Sequence, residues 1–324
     1  MPRCPCAYRN HVHDETVARA ILAAVDGRAP AGPEATLTAV GDGFASDAWL
    51  VTAPTGERTV LRVANDRGLV TETYPMEHAL MGRLAAGGAA VPHPVVGSWE
   101  VAGWTGPAFS LTSFAAGGPL RPASVSTAAP AIAAFLAALR TVPVTGGFGP
   151  LEVAPDGGMR GACPDLDDGL VTWAERPLWP LDTSRLAEHP AIGAVPGLAE
   201  RMDARRDAVL AALHTGPMVV LHSDLHDGNI LDDAGRLTFI DFGEALVGPL
   251  AWDLAAVGFF IDWSVADALM GDDPDLAATA AAIGLCFGAY RWHLSREHDF
   301  DDDEHDRAYL ETCLARLEAA RPGA

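Results

Sequence analysis

Two short apolar runs in the middle of the chain carry acids and an amide at their ends, and this constrains the fold most. In "VVLHSDLHDGNILDDAGRLTFIDFGEAL", Val219 to Leu246, the residues His222, Asp224, Asn229 and Asp241 fall within 20 residues rich in Val, Leu, Ile and Phe. Alternation and turn residues predict a strand at Met218–Leu221, a loop through "HSDLHDGN", a short strand at "IL", a tight turn at "DDAG" and a return strand "RLTFI". Such a hairpin is expected to bring Asp224, Asn229 and Asp241 together at one end. Clustered oxygen donors of this kind suit Mg²⁺, a hard cation usually held by one or two carboxylates with waters and substrate phosphates.

The spacing points to a division of labour. Asn229 follows Asp224 by five residues, and Asp241 follows twelve later. In phosphoryl transfer one carboxylate takes the acceptor hydroxyl's proton, while an Asn and a second Asp hold the metal that bridges the nucleotide phosphates.

The rest of the chain frames this stretch. Helical spacing with a Gly stop marks Asp14–Gly27. Short strands follow at "LTAV", "AWLVTA" and "RTVLRVA", with "APTGE" as a hairpin turn. A helix is expected near Pro75–Ala86, a strand at Gly106–Phe114, and helices at "APAIAAFLAALRTV" and Met202–His214. Beyond Pro249 the pattern is mainly helical, and Gly146–Pro196 shows no readable element. A β-rich first third joined to a helical remainder predicts an α+β chain of two lobes, residues 1–113 and 114–324. A length of 324 residues also exceeds what one core usually reaches.

Composition narrows the partners. A net charge of −21 argues against nucleic acid or an anionic membrane and is compatible with a cationic small molecule, although an acidic surface also serves solubility. No run is long and apolar enough to span a membrane, and the five scattered cysteines predict a reducing cytoplasm. The "CPCAYRNHVH" terminus does not match common zinc spacings. The 22 basic residues are all arginine, so a Walker-type loop, which needs lysine, is excluded.

"LHSDLHDGNIL", "FIDFGEA", "AWDLA", "VLRVA" and "GDGFASDAWLV" resemble the aminoglycoside phosphotransferases and related small-molecule kinases, over roughly residues 37–265. The resemblance implies a two-lobed protein-kinase-like fold, with a β-rich N-lobe and a mainly helical C-lobe. It implies an O-phosphotransferase that uses ATP or GTP with Mg²⁺. Carried over by position, Asp224 is the catalytic base and Asn229 and Asp241 are the Mg²⁺ ligands. His222 is mainly structural, and Asp253 braces the loop. Arg62 takes the slot of the usual lysine, with Glu77 as its helix partner and Glu72 as the alternative. Gly41, Gly43 and Ser46 cover the nucleotide, although that stretch by itself also fits an ordinary hairpin. The backbone of Ser110, Thr112 and Ser113 is the expected purine-binding hinge. The absence of an A-P-E motif argues against a protein kinase.

The acceptor is the open question. Antibiotics of the aminoglycoside type lead, with a metabolic amino alcohol or sugar as the alternative. A kinase-shaped binding module inactivated by the change to Arg62 is a third reading. Asp262, Trp263 and Asp299 are the candidate acceptor contacts, each of which also fits an ordinary role in a helix start or core. "TGGFGP" and "FIDW" are further features similar to the hygromycin-phosphotransferase type.

Overall fold

The computed structural model describes residues 14–320, apart from 26, 30–31, 33, 43–45, 66–72, 174–178 and 298–301. Gly43, Glu72, Asp299, Cys4 and Cys6 therefore lie outside the described residues.

The first unit contains helix α1 (Glu15–Ala24), strands β1 (Thr36–Asp42), β2 (Ser46–Thr52) and β3 (Arg58–Ala64), helix α2 (Tyr74–Ala86), and strands β4 (Pro94–Gly97) and β5 (Phe109–Ser113). Asp14 starts α1 by accepting the amides of Thr16 and Val17, and Pro75 sits in the first turn of α2, where its missing N–H costs nothing. The strands form one antiparallel sheet, ordered β1-β2-β3-β5-β4. The β2–β3 turn closes where the Ala53 amide donates to the Glu57 carbonyl at 2.8 Å. One face of the sheet buries Trp49, Val51, Leu61, Val63, Phe109 and Leu111 together with Ile21 and Leu22 of α1. The alternation of period two in "RTVLRVA" produces this face and leaves Arg62 on the other. On α2, buried His78 places its Nε2 2.8 Å from the Ser110 hydroxyl and packs edge-on against Trp99. Residues Thr238–Gly243, far along the chain, also belong to this unit. The Phe239 amide donates to the Ala90 carbonyl there at 2.9 Å.

The second unit runs from Gly118 to Leu237 and from Glu244 onward. It opens with β6 (Gly118–Pro119), α3 (Val125–Thr141), β7 (Phe148–Val153), β8 (Met159–Cys163) and α4 (Leu166–Trp173). Short helices α5 (Ser184–Glu188), α6 (Pro190–Ala194), α7 (Leu198–Asp203) and α8 (Arg206–Leu213) follow. Then come β9 (Met218–Leu221), β10 (Ile230–Asp233), β11 (Arg236–Phe239) and β12 (Leu246–Pro249). The chain finishes with α9 (Ala251–Phe260), α10 (Trp263–Met270), α11 (Pro274–Glu297) and α12 (Asp303–Ala319).

Several expectations change here. The expected hairpin of "IL", "DDAG" and "RLTFI" forms, with β10 turning through Ala234 and Gly235 into β11, and β10 also pairs with β6. Strand β9 lies in a different sheet, ordered β8-β7-β12-β9, where it pairs with β12. The helix expected over Met202–His214 is two helices. Its ladder breaks where the Arg205 amide bonds to the Met202 carbonyl three residues back. The helix read from Ala129 starts earlier, at Val125, and carries Pro130 inside it. The unreadable Gly146–Pro196 segment holds β7, β8, α4, α5 and α6.

Every residue of α9 from Ala251 to Phe259 is buried, because α10, α11 and α12 surround it. Phe259 packs against Phe287 of α11 and Tyr309 of α12, and the Tyr309 hydroxyl donates to the Ala255 carbonyl at 2.9 Å. Helices α11 and α12 approach closely because Gly284 and Gly288 lack side chains. A Cβ at Gly284 would lie 2.7 Å from Cys313 Sγ and Tyr309 Oη, and one at Gly288 2.8 Å from Leu310. Among the described residues no helix is long and apolar enough to cross a membrane, and Cys163, Cys286 and Cys313 are free and buried.

Two stability outcomes follow. Gly284→Val should lower the urea midpoint, by about 1–3 kcal/mol in stability from overpacking. Gly193→Ala on α6, with nothing within 4 Å, should leave it unchanged or raise it slightly. Burial and the nearby Arg62 charge press His78 down to about 4, so the folded state keeps it neutral where the unfolded chain protonates it. Its contribution is complete above pH 6.5 and is lost as pH falls from 6.5 toward 4. Buried Asp306, pushed up to about 7, acts in the opposite direction. The measurement is therefore a difference: His78→Gln should lose about 1–2 kcal/mol less than the natural chain between pH 7 and pH 5, by urea denaturation.

Candidate active site

In the second unit the polar cluster is built on the loop between β9 and β10. The loop is held by Asp253, from the first turn of α9. Its carboxylate, 1% exposed, accepts the backbone amides of Ser223 at 2.8 Å and His222 at 3.0 Å. Burial pushes the Asp253 carboxyl's pKa up, and the two amide bonds work to keep it ionised. The expectation that Asp253 braces the loop is met by these two bonds. His222 is fully buried, with its ring edge-on to Phe135, as a packing residue requires. Ser223 adopts φ 69°, which costs a non-glycine residue about 1–3 kcal/mol and is sustained by the double hold on its neighbourhood.

The strained turn precedes Asp224, whose side chain is 26% exposed. The Asn229 amide nitrogen donates to the Asp224 carbonyl at 2.8 Å and to its carboxylate at 3.3 Å. The sequence-predicted pair is thus brought together, and the bonded nitrogen orients the amide so that its oxygen is the end left for a cation. His226 Nε2 lies 3.6 Å from Asp224 Oδ2, the oxygen that Asn229 also reaches, and Arg291 Nη1 lies 3.9 Å from Oδ1. Neither Arg291 nor His226 carried a signal in the sequence that separated it from its neighbours. Asp224, Ser223, Glu244, Phe287, Tyr290 and Arg291 line a cavity of about 100 Å³.

Asp241 belongs to the first unit, where it joins a second cluster. Arg62 of β3 makes a 2.6 Å ion pair with Glu77 of α2, which is 1% exposed, and lies 3.3 Å from Asp241 Oδ1. The Thr73 hydroxyl donates to the remaining Glu77 oxygen at 2.9 Å, and Arg62 Nε reaches the Ser46 hydroxyl at 3.4 Å. Burial alone would lower the Arg62 pKa, but Glu77 and Asp241 together hold it above its ordinary value. The guanidinium is therefore a fixed cation, with one side anchored to Glu77. Asp241 takes φ 62°, a conformation Asp tolerates better than most residues, which turns its half-exposed carboxylate toward Arg62.

Other expected residues fall elsewhere. Gly41 lies in β1 opposite Ala48. Ser110 and Thr112 do not offer a free hinge: β5 is an interior strand, with Ser110 between Arg62 and Gly97 and Thr112 between Val60 and Pro94. The Ser113 amide donates to the His93 carbonyl at 2.8 Å. Backbone already committed to a sheet on both edges cannot also bind a base. Asp262 caps α10 by accepting the Ser264 amide at 2.7 Å, and Trp263 is stacked between Arg316 and Tyr309.

Comparison with known proteins identifies the lineage. No curated protein matches the chain. Among solved structures it is similar to a thermostable mutant of aminoglycoside phosphotransferase APH(4)-Ia, a ternary complex with ADP and hygromycin B. Identity is 18% and the TM-score 0.64, covering 87% of this chain and 94% of that one. A choline/ethanolamine kinase family protein from Mesorhizobium loti (18% identity, TM-score 0.56, 94% of each chain) is also similar. So is a putative fructosamine-3-kinase from Thermobifida fusca (18%, 0.57, 93% and 97%). These likenesses establish the α+β kinase-like fold, with its antiparallel sheet toward the N-terminus and its helices toward the C-terminus. The family profile described as the phosphotransferase enzyme family (APH) matches residues 36–297, most of the chain. The chain belongs to the phosphotransferase enzyme family, kinases that act on hydroxyl groups.

Proposed function

We propose that the protein is a nucleotide- and Mg²⁺-dependent O-phosphotransferase whose acceptor is a small-molecule hydroxyl, foremost that of an aminoglycoside-type antibiotic, so that it acts as a resistance kinase in the cytoplasm. The observation that carries this reading is the Asp224 carboxylate. It is partly exposed at the end of a loop clamped by Asp253 and bonded to the Asn229 amide. A carboxylate placed this way can accept a hydroxyl proton and orient the oxygen for attack.

Asn229 and Asp241 are the proposed Mg²⁺ ligands. Both are hard oxygen donors. Mg²⁺ is usually held by one or two such side chains, with waters and substrate phosphates completing its coordination. The cation would neutralise phosphate charge. In this reading Arg62, anchored by Glu77, grips the phosphates in place of lysine, and Ser46 and Gly41 are nucleotide contacts, with Gly43 a further one that lies outside the described residues. A relative solved with ADP supports nucleotide use.

The net charge of −21 and a relative solved with hygromycin B favour a cationic acceptor. A metabolic acceptor is the second reading, favoured by the comparable likeness to a choline/ethanolamine kinase family protein and a putative fructosamine-3-kinase.

A coupled ADP-release screen over antibiotics, amino alcohols and sugars separates the two. Asp224→Ala should lower kcat about 10²–10⁴-fold with nucleotide affinity nearly unchanged, and full activity in that variant would remove Asp224 as the base. Chelation of divalent metal should stop turnover and Mg²⁺ should restore it. Turnover that persists in chelator would exclude the metal assignment.

A further inference from the structure

Arg291, on α11, has no place in the roles assigned so far. Its guanidinium lines the same small cavity as Asp224, with Nη1 3.9 Å from the Asp224 carboxylate. That distance is too long for a hydrogen bond but close enough for charge to act. Its Nε is buried and has no hydrogen-bond partner. The group is not loose, because it lies 4.7 Å over the Phe260 ring on a 24-residue helix packed against α9 and α12. A buried cationic donor is usually satisfied. Nε faces no open space, so the part of this side chain that can meet a ligand is the end of the guanidinium, partly exposed beside the Asp224 carboxylate. That end is held by a ring and not by a close ion pair with Asp224, which is the arrangement expected when a further anion arrives during turnover.

The proposed chemistry supplies that anion, and this inference rests on the phosphotransferase reading. An acceptor hydroxyl within hydrogen-bond reach of Asp224 is also close to Arg291. When its oxygen attacks the γ-phosphorus of a nucleoside triphosphate, a new oxygen–phosphorus bond forms. The bond from phosphorus to the β–γ bridging oxygen breaks, and that oxygen leaves with the electron pair on the nucleoside diphosphate. The hydroxyl proton passes to Asp224. The three equatorial oxygens of the transferring group thus carry their charge beside Asp224, whatever the acceptor is. We propose that Arg291 is a catalytic residue supplied within the chain, donating to these oxygens as they pass from nucleotide to acceptor. The fork of an arginine matches a phosphoryl group, and cations aimed at developing charge act on the transition state more than on the bound substrates.

The test is steady-state ADP release by the full chain, with the best acceptor from the screen and with water as the acceptor of basal hydrolysis. Arg291→Met keeps the apolar stem over Phe260 and removes the charge. It should lower kcat about 10²–10³-fold in both assays, with the KM values of nucleotide and acceptor within about threefold of the natural chain. Guanidinium ion added to that variant should restore part of the rate. Arg291→Gln should show the same loss, and it serves if the methionine variant has a lowered urea midpoint. An unchanged kcat in these variants overturns the inference alone. So does a loss confined to acceptor KM, which would make Arg291 a contact for an acidic acceptor. No turnover by the natural chain with any acceptor or water would overturn both this inference and the proposed function.

Discussion

The second unit's candidate site depends on one buried carboxylate. Asp253 sits in the first turn of a helix buried along nearly its whole length, where an unpaired charge would be costly. Its two oxygens are used by consecutive backbone amides, those of His222 and Ser223. This pair of bonds fixes the chain just before Asp224 and sustains a left-handed serine that would otherwise relax. The acid two residues inside "WDLA" and the acid of the "HSD" loop are thus parts of one device. The first is buried and immobile, and the second is partly exposed and able to meet a substrate. Precision at Asp224 is inherited from the helix packing of α9 against α10, α11 and α12.

A chain without lysine has to solve phosphate chemistry with arginine alone. Arg62 and Arg291 show two ways of holding that side chain. Arg62 is anchored by an ion pair to a buried glutamate that a threonine hydroxyl also supports, so its direction is set by hydrogen bonds. Arg291 is set by an aromatic ring and keeps its polar edge less committed. The planar guanidinium makes both possible, because it can pair through one edge, stack through its face and still present further donors.

Much of the site was legible because its signals are local. The polar residues at the ends of apolar runs, the five-residue spacing from Asp224 to Asn229, and the single basic residue in "TVLRV" are all short-range patterns. The Arg62–Glu77 pair was expected from the family resemblance, with Glu72 as the alternative partner. What was not legible involved long-range pairing. The strand "LVGP" at β12 was not singled out, and neither was its pairing with β9. The interior position of β5, which removes Ser110–Ser113 as a free hinge, depends on β3 and β4 lying on both its sides. Arg291 lies 67 positions from Asp224 in sequence, in a helical segment "AYRWHL" whose apolar neighbours hide it.

The sequence by itself determined the type of the elements that carry the motifs, the family and the acids and amide of the candidate chemistry, because periodicity and motif spacing are properties of neighbouring residues. Tertiary structure alone decided that Asp241 joins Arg62 and Glu77, that Asp253 holds the loop through the amides of His222 and Ser223, and that a distant arginine faces Asp224. Those outcomes depend on which buried surfaces meet when the chain packs. Contact between residues far apart in sequence is set by shape and burial, and no local pattern records it.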